Sequence, residues 1–149
     1  MSPAAQMHLV FRLYGIGFAL PLSDLVEIRE TPECPLDPSL AAPTEHILGV
    51  IQLRDEQLPL RDLRTLMRLP SRGAEEPVTL ILNGQEGAWG VRVDEVEGIF
   101  PAEQFTPREL PFLLDPTHKR PYTTLLLRHN EPLVSLESDR LDSAWGNHE

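Results

Sequence analysis

The sequence has one cysteine, Cys34, so no disulfide can form within the chain. That usage suits a reducing compartment. It also lacks long apolar runs. The strongly apolar pieces are short, such as Leu125-Leu126-Leu127, far from the ~20 residues that a spanning helix needs. Residues Met1 to Gln6 show no basic stretch followed by an apolar one, so no secretory signal is expected. A cytoplasmic protein with no direct membrane insertion is the expectation. Cations are scarce: 13 Lys and Arg stand against 23 Asp and Glu, for a net charge of −10. Neutralising phosphates needs a basic face, so nucleic acid is excluded as a partner. The deficit is uneven, with 7 basic and 9 acidic residues in 1–72 but 6 and 14 in 73–149. Such acidity favours solubility and does not bear on the fold.

Chemistry-bearing motifs are missing as well. The histidines are His8, His46, His118, His129 and His148, and none lies four residues from another. With a single cysteine there is no local zinc signature. Ser23-Asp24, Ser135 and Ser138-Asp139 sit in no nucleophile elbow. Gly15-Ile16-Gly17 lacks the third glycine and the following helix of a dinucleotide fingerprint. Asp94, Glu95 and Glu97 could act as acid–base groups or metal ligands, but such a run is ordinarily a solvated strand edge. No catalytic residue, metal or cofactor is expected, and the chain is not read as an enzyme.

What is present is a set of short strands. The 149 residues make one domain, or two very small ones sharing a core. A chain of this size buries roughly 70% of its unfolded surface. His8 to Tyr14 alternates, with Leu9, Phe11 and Leu13 on one face. Gly15-Ile16-Gly17 turns it into Phe18 to Leu22, and Leu25 to Arg29 follows. Pro32, Pro35, Pro38 and Pro43 mark an irregular loop, because proline lacks the ladder donor. Ile47 to Leu53 and Gln57 to Arg61 form a hairpin across Asp55-Glu56. Asp62 is an N-cap for a short helix ending before Pro70, with Leu63, Leu66 and Met67 on its apolar face.

After a polar linker the plan starts again. Val78 to Leu82, Ala88 to Val93 and Val96 to Phe100 are strands, and Trp89 reads as a core anchor. Pro101 to Pro121 is irregular; Tyr122 to Arg128 and Leu133 to Leu136 close the series. The tail from Glu137 is polar. Asp142 onward is expected to fray, and Trp145 has no evident place. Leu53-Arg54 corresponds to Leu127-Arg128, and Ile28 to Ile99, at offsets near half the chain. Five short strands per half leave many open edges unless they close, so two small barrels packed side by side are predicted. Their bounds are about 8–70 and 77–141, with 142–149 as a flexible tail.

The order of these motifs resembles that of CheW-like domains, from about residue 8 to 141. The resemblance rests on Phe18 to Ile28, on Leu48-Gly-Val-Ile-Gln-Leu-Arg54 followed by Pro59 and Asp62-Leu63-Arg64, on Gly90-Val-Arg-Val-Asp94 with Val96, and on Leu133 to Glu137. It implies an all-β fold of two five-stranded SH3-like barrels with short helices. It also implies a non-catalytic signalling adaptor that couples a chemoreceptor tip, or a receptor-like protein, to a CheA-type histidine kinase in chemotaxis or motility. Such a protein would be recruited to receptor arrays at the inner face of the membrane. By motif, the partner-facing glutamate and arginine of the family fall on Glu27 and Arg54. Taken without the resemblance, Glu27 and Arg54 are an ordinary exposed ion pair.

Departures from the family pattern sharpen the question of partners. The glycine that follows the arginine is Asp55 here, which adds Asp55 to the partner-binding candidates. Asp55 is expected to take up the positive φ of the turn at a cost of roughly 1–2 kcal/mol. The next two positions, usually apolar, are Glu56 and Gln57, and Thr123-Thr124 stands where a glycine is usual. Two alternatives remain at this stage. One is the same fold with a changed partner set, as in pilus-type or other non-flagellar signalling. The other is a β-barrel that binds a small molecule.

Overall fold

The computed structural model describes residues 7–70, 76–109, 122 and 124–141. Twelve strands follow one another among them. They are β1 (Met7–Leu13), β2 (Ile16–Pro21), β3 (Leu25–Glu30), β4 (Leu36–Asp37), β5 (Ile47–Leu53), β6 (Glu56–Arg61), β7 (Val78–Leu82), β8 (Trp89–Val93), β9 (Glu95–Pro101), β10 (Thr106–Glu109), β11 (Thr124–Arg128) and β12 (Glu131–Ser135). The one α-helical element with a defined end is α1 (Leu63–Leu66), a single turn. Its N-cap Asp62 accepts the Thr65 N–H at 3.3 Å. The helix stops well short of Pro70, because Arg68 turns left-handed at φ 59° and the Leu69 N–H closes on the Arg64 carbonyl at 2.8 Å. No helix among the described residues is long and apolar enough to cross a membrane.

The strands make two six-stranded sheets. One runs β10-β11-β12-β2-β1-β9 and the other β3-β7-β8-β6-β5-β4. Read from the opposite end, the second order is the first with every strand shifted by six places in the chain. The equivalence reaches the details. The unusual parallel contact joins β12 to β2 in one sheet, with Val134 opposite Phe18. It joins β6 to β8 in the other, with Leu60 opposite Gly90. The stretches 8–70 and 77–141 therefore exchange their first hairpins. The β1–β2 hairpin completes the sheet built mainly from the second stretch, and β7–β8 completes the other.

The mainly β class agrees with the sequence, but closed five-stranded barrels do not describe the strand pairing. Each sheet has six strands and two ends among the described residues. The extra strands, β4 and β10, come from proline-rich stretches expected to be irregular. They lie at sheet ends, where a missing N–H donor is tolerated.

Three apolar clusters fill the interior. The largest lies between the sheets: Leu9, Phe11, Leu13, Phe18 and Leu20 meet Leu80, Leu82, Trp89, Val91 and Val93. Phe11 and Phe18 stack with centroids 5.3 Å apart. The other clusters belong to single sheets. Cys34, Ile51, Leu58, Leu60 and Ile81 form one, and Val10, Ala19, Phe105, Leu126 and Leu133 the other. Strands β1, β2 and β7 thus place apolar residues on both faces, since one face serves the shared core and the other a sheet's own core. Gly90 leaves room for the cluster of its own sheet; a Cβ there would stand 2.8 Å from Ile51 Cδ1.

The chain end differs from a polar tail. Leu136 and Leu141 are buried in the shared core, and residues 138–141 are helical. Leu136 is tied to Ala19 by a backbone hydrogen bond of 2.9 Å. Residues 142–149, with Trp145, lie outside the described residues, as do 110–121 and Thr123.

Candidate docking site

Glu27 and Arg54 come together although 27 residues separate them. Glu27 is in β3, an edge strand that among the described residues is bonded only to β7. Arg54 is at the tip of the β5–β6 hairpin, which Leu53 and Glu56 close. The Arg54 Nη2 donates to Glu27 Oε2 at 3.1 Å. The other carboxylate oxygen accepts from Arg29 Nε at 3.2 Å, and Arg29 Nη1 reaches Glu33 Oε2 at 3.1 Å. Both oxygens of Glu27 are thus engaged. Partial burial pushes its carboxyl pKa up, but the hydrogen bonds from Arg29 and Arg54 together outweigh that and hold it below the usual carboxylate range.

The two partners differ in exposure: the Arg54 side chain is 66% exposed and Glu27 only 21%. Glu27 therefore acts as a fixed base plate, and Arg54 is the group that solvent, or another protein, meets. Arg54 also carries the strain of the turn, with φ at 54°. Asp55 is not among the residues with positive φ, which corrects the expectation that it would replace a glycine in that role. The Arg54 carbonyl is held by Gln52 Nε2 at 2.9 Å, so the side chain of a neighbouring residue stabilises the left-handed conformation. Asp55 and Glu56 are both exposed beside it.

The other half holds a counterpart that sequence reasoning located only in part. Arg128, the partner of Arg54 in the repeat, donates its Nε to Gln104 at 2.8 Å and lies 3.6 Å over the Phe100 ring. Phe100 and Gln104 occupy the places of Arg29 and Glu33. Position 98, equivalent to Glu27, is a glycine. The arginine is retained and the carboxylate is not, so the ion pair belongs to the first site alone. The signal was available in the offset between Ile28 and Ile99, extended by one and by five residues.

Asp94 and Glu97 are not merely a solvated edge. Asp94 pairs with Arg64, and Glu97 with Arg12, which also donates to Glu131 at 2.7 Å. Trp89 is buried, as a core anchor should be. His8 lies against Phe105, and no group of three His, Cys, Asp or Glu suited to a metal occurs among the described residues.

The comparisons agree with this architecture. The scaffolding protein TtCheW from Thermoanaerobacter tengcongensis has a crystal structure that matches with a TM-score of 0.73, covering 97% of each chain at 19% identity. No curated protein matches the sequence. The CheW-like domain family matches over residues 7–137, nearly the whole described chain. The chain belongs to the CheW-like domain family, whose members are non-catalytic adaptors of chemotaxis signalling.

Proposed function

We propose that this protein is a cytoplasmic adaptor that couples the cytoplasmic tip of a chemoreceptor, or a receptor-like protein, to a CheA-type histidine kinase, docking through Arg54, Glu27 and Asp55. One observation carries the reading: an exposed guanidinium at a strained hairpin tip, aimed by a carboxylate whose both oxygens are engaged. Strained backbone persists where the surroundings over-determine it, and such places are often functional. Arginine presents five donors in a rigid fork, which suits a carboxylate or a row of carbonyl groups on a partner. The surface pair adds at most about 1 kcal/mol to stability, so the fold alone does not account for its construction.

In this reading the two sheets, each with its own small apolar cluster, act as the family's pair of SH3-like barrels. Recruitment to receptor arrays at the membrane then follows from the partners and needs no anchor. A changed partner set is favoured by one feature, the acidic pair Asp55-Glu56 beside Arg54, which discriminates against partners with an acidic rim. Titration calorimetry of the wild type and Arg54→Ala against a receptor cytoplasmic fragment and a kinase regulatory fragment tests the reading. A loss of tenfold or more with one fragment is expected. Unchanged binding to both would place the docking surface elsewhere.

A further inference from the structure

A second exposed feature is built with equal care and takes no part in the site above. The β1–β2 hairpin turns on Tyr14-Gly15, with φ of 52° and 76°. Such primed turns favour Asn, Asp or Gly at both central positions. An aromatic residue there is costly, and the fold buries only about half of it in return. Tyr14 is 53% exposed and Ile16 is 39% exposed.

The tip is nevertheless clamped. The Tyr14 N–H donates to Asp94 Oδ2 at 2.8 Å, and Asp94 also pairs with Arg64 of α1. The Asp94 N–H returns to the Arg12 carbonyl at 3.0 Å. The Arg12 guanidinium spans Glu97 of β9 and Glu131 of β12. Three elements, α1, β9 and β12, and the Asp94 connection thus converge on one hairpin. Its rim is acidic: Asp94, Glu95, Glu97 and Glu131 gather around Arg12 and Arg64, with Arg128 also acting on Glu131, so among these groups negative charge is in excess. Glu131 is half exposed, Glu95 is exposed, and Glu131 is held ionised chiefly by its hydrogen bond from Arg12.

We propose that Tyr14 and Ile16 form a second docking surface, which takes a partner-protein segment carrying an apolar side chain next to a lysine or arginine. Tyrosine supplies large contact area with little entropy to lose and is enriched among interface hot spots. The acidic rim selects a basic neighbour and disfavours an anionic lipid surface. The proposal rests on the adaptor reading, because it assigns the tip to one of the two partners.

The test uses the full chain with Tyr14→Asn and Ile16→Thr, titrated against the receptor and kinase fragments, with Arg54→Ala in parallel. Asparagine tolerates the left-handed conformation better than tyrosine. Tyr14→Asn should therefore melt at the same temperature as the wild type or higher. It should bind one of the fragments about tenfold or more weakly. Glu95→Gln should flatten the salt dependence of that same binding. If Tyr14→Asn and Ile16→Thr bind both fragments as the wild type does, the tip proposal is overturned, whatever Arg54→Ala does. A lower melting temperature for Tyr14→Asn would mean that Tyr14 serves the fold, and would also overturn it. Failure of the wild type to bind either fragment would remove the adaptor reading and the tip together.

Discussion

The Asp24 carboxylate accepts the backbone N–H of Ser138 at 2.9 Å, across 114 residues of sequence. It holds the start of the last helical turn, which delivers Leu141 into the core between the sheets. Asp24→Ala should cost about 1.5–3 kcal/mol, the range for a hydrogen bond to a charged group. Leu141→Ala should cost about 2–5 kcal/mol, by loss of transfer energy and by the cavity left behind. Urea denaturation reads both. If Leu141→Ala is within 0.5 kcal/mol of the wild type, roughly the span of a neutral surface substitution, the segment is not part of the core.

Stability should fall in mild acid because of His8. Burial lowers its pKa below the ordinary 6.5, and the charge on Asp24 offsets this only in part. The unfolded chain then binds a proton that the folded chain refuses. The contribution of His8 is therefore fully present above the unfolded value and is lost as pH falls through 6.5 toward the folded one. His8→Gln should flatten the stability profile over that window. An unchanged slope between pH 7 and pH 5.5 would assign the effect to another group.

Arg54→Ala should leave the urea midpoint nearly unchanged, since an exposed pair contributes about 1 kcal/mol or less. The variant leaves Glu27 with Arg29 alone. A large destabilisation would mean that the pair serves the fold and not a partner. Asp55→Gly acts through charge, because the positive φ lies at Arg54. It should strengthen binding to a chemoreceptor tip that carries acidic residues and leave stability within about 0.5 kcal/mol. Weaker binding would mean that Asp55 makes a favourable contact of its own.

The exchange of hairpins predicts how the chain responds to division. A fragment of residues 1–72 lacks β7–β8, and one of 73–149 lacks β1–β2, so each leaves its sheet incomplete and its share of the inter-sheet cluster exposed. Neither alone should show a cooperative thermal transition by circular dichroism, and equimolar mixing should restore one. A sharp transition in either fragment by itself would contradict this.

Much of this was legible beforehand. Strands such as Ile47–Leu53 and Val78–Leu82 announce themselves by β-branched and leucine content, and their turns by glycine and acidic residues. The offset between Arg54 and Arg128 revealed the duplication. Which hairpin joins which sheet was not legible, because β1 and β7 have two apolar faces and pair equally well on local grounds. Strands β4 and β10 were hidden by their prolines. Leu141 was hidden by its polar neighbours, since one leucine in a charged turn has no periodicity. The positive φ at Arg54 was not legible, because the family pattern puts its glycine one position later, at Asp55. Glu27 and Arg54 were recognised as candidates through resemblance alone; the role of Arg29 needed coordinates.

The crossed hairpins also bear on how such a chain could arise. Cut the linker between the repeats and impose perfect symmetry, and what remains is a half-length polypeptide whose sheet can be completed only by a second copy. In form, then, this single chain has the layout of a domain-swapped homodimer written on one strand of peptide. Its two halves are free to diverge in surface chemistry, as Glu27 and Gly98 have done, while each remains hostage to the other for its interior.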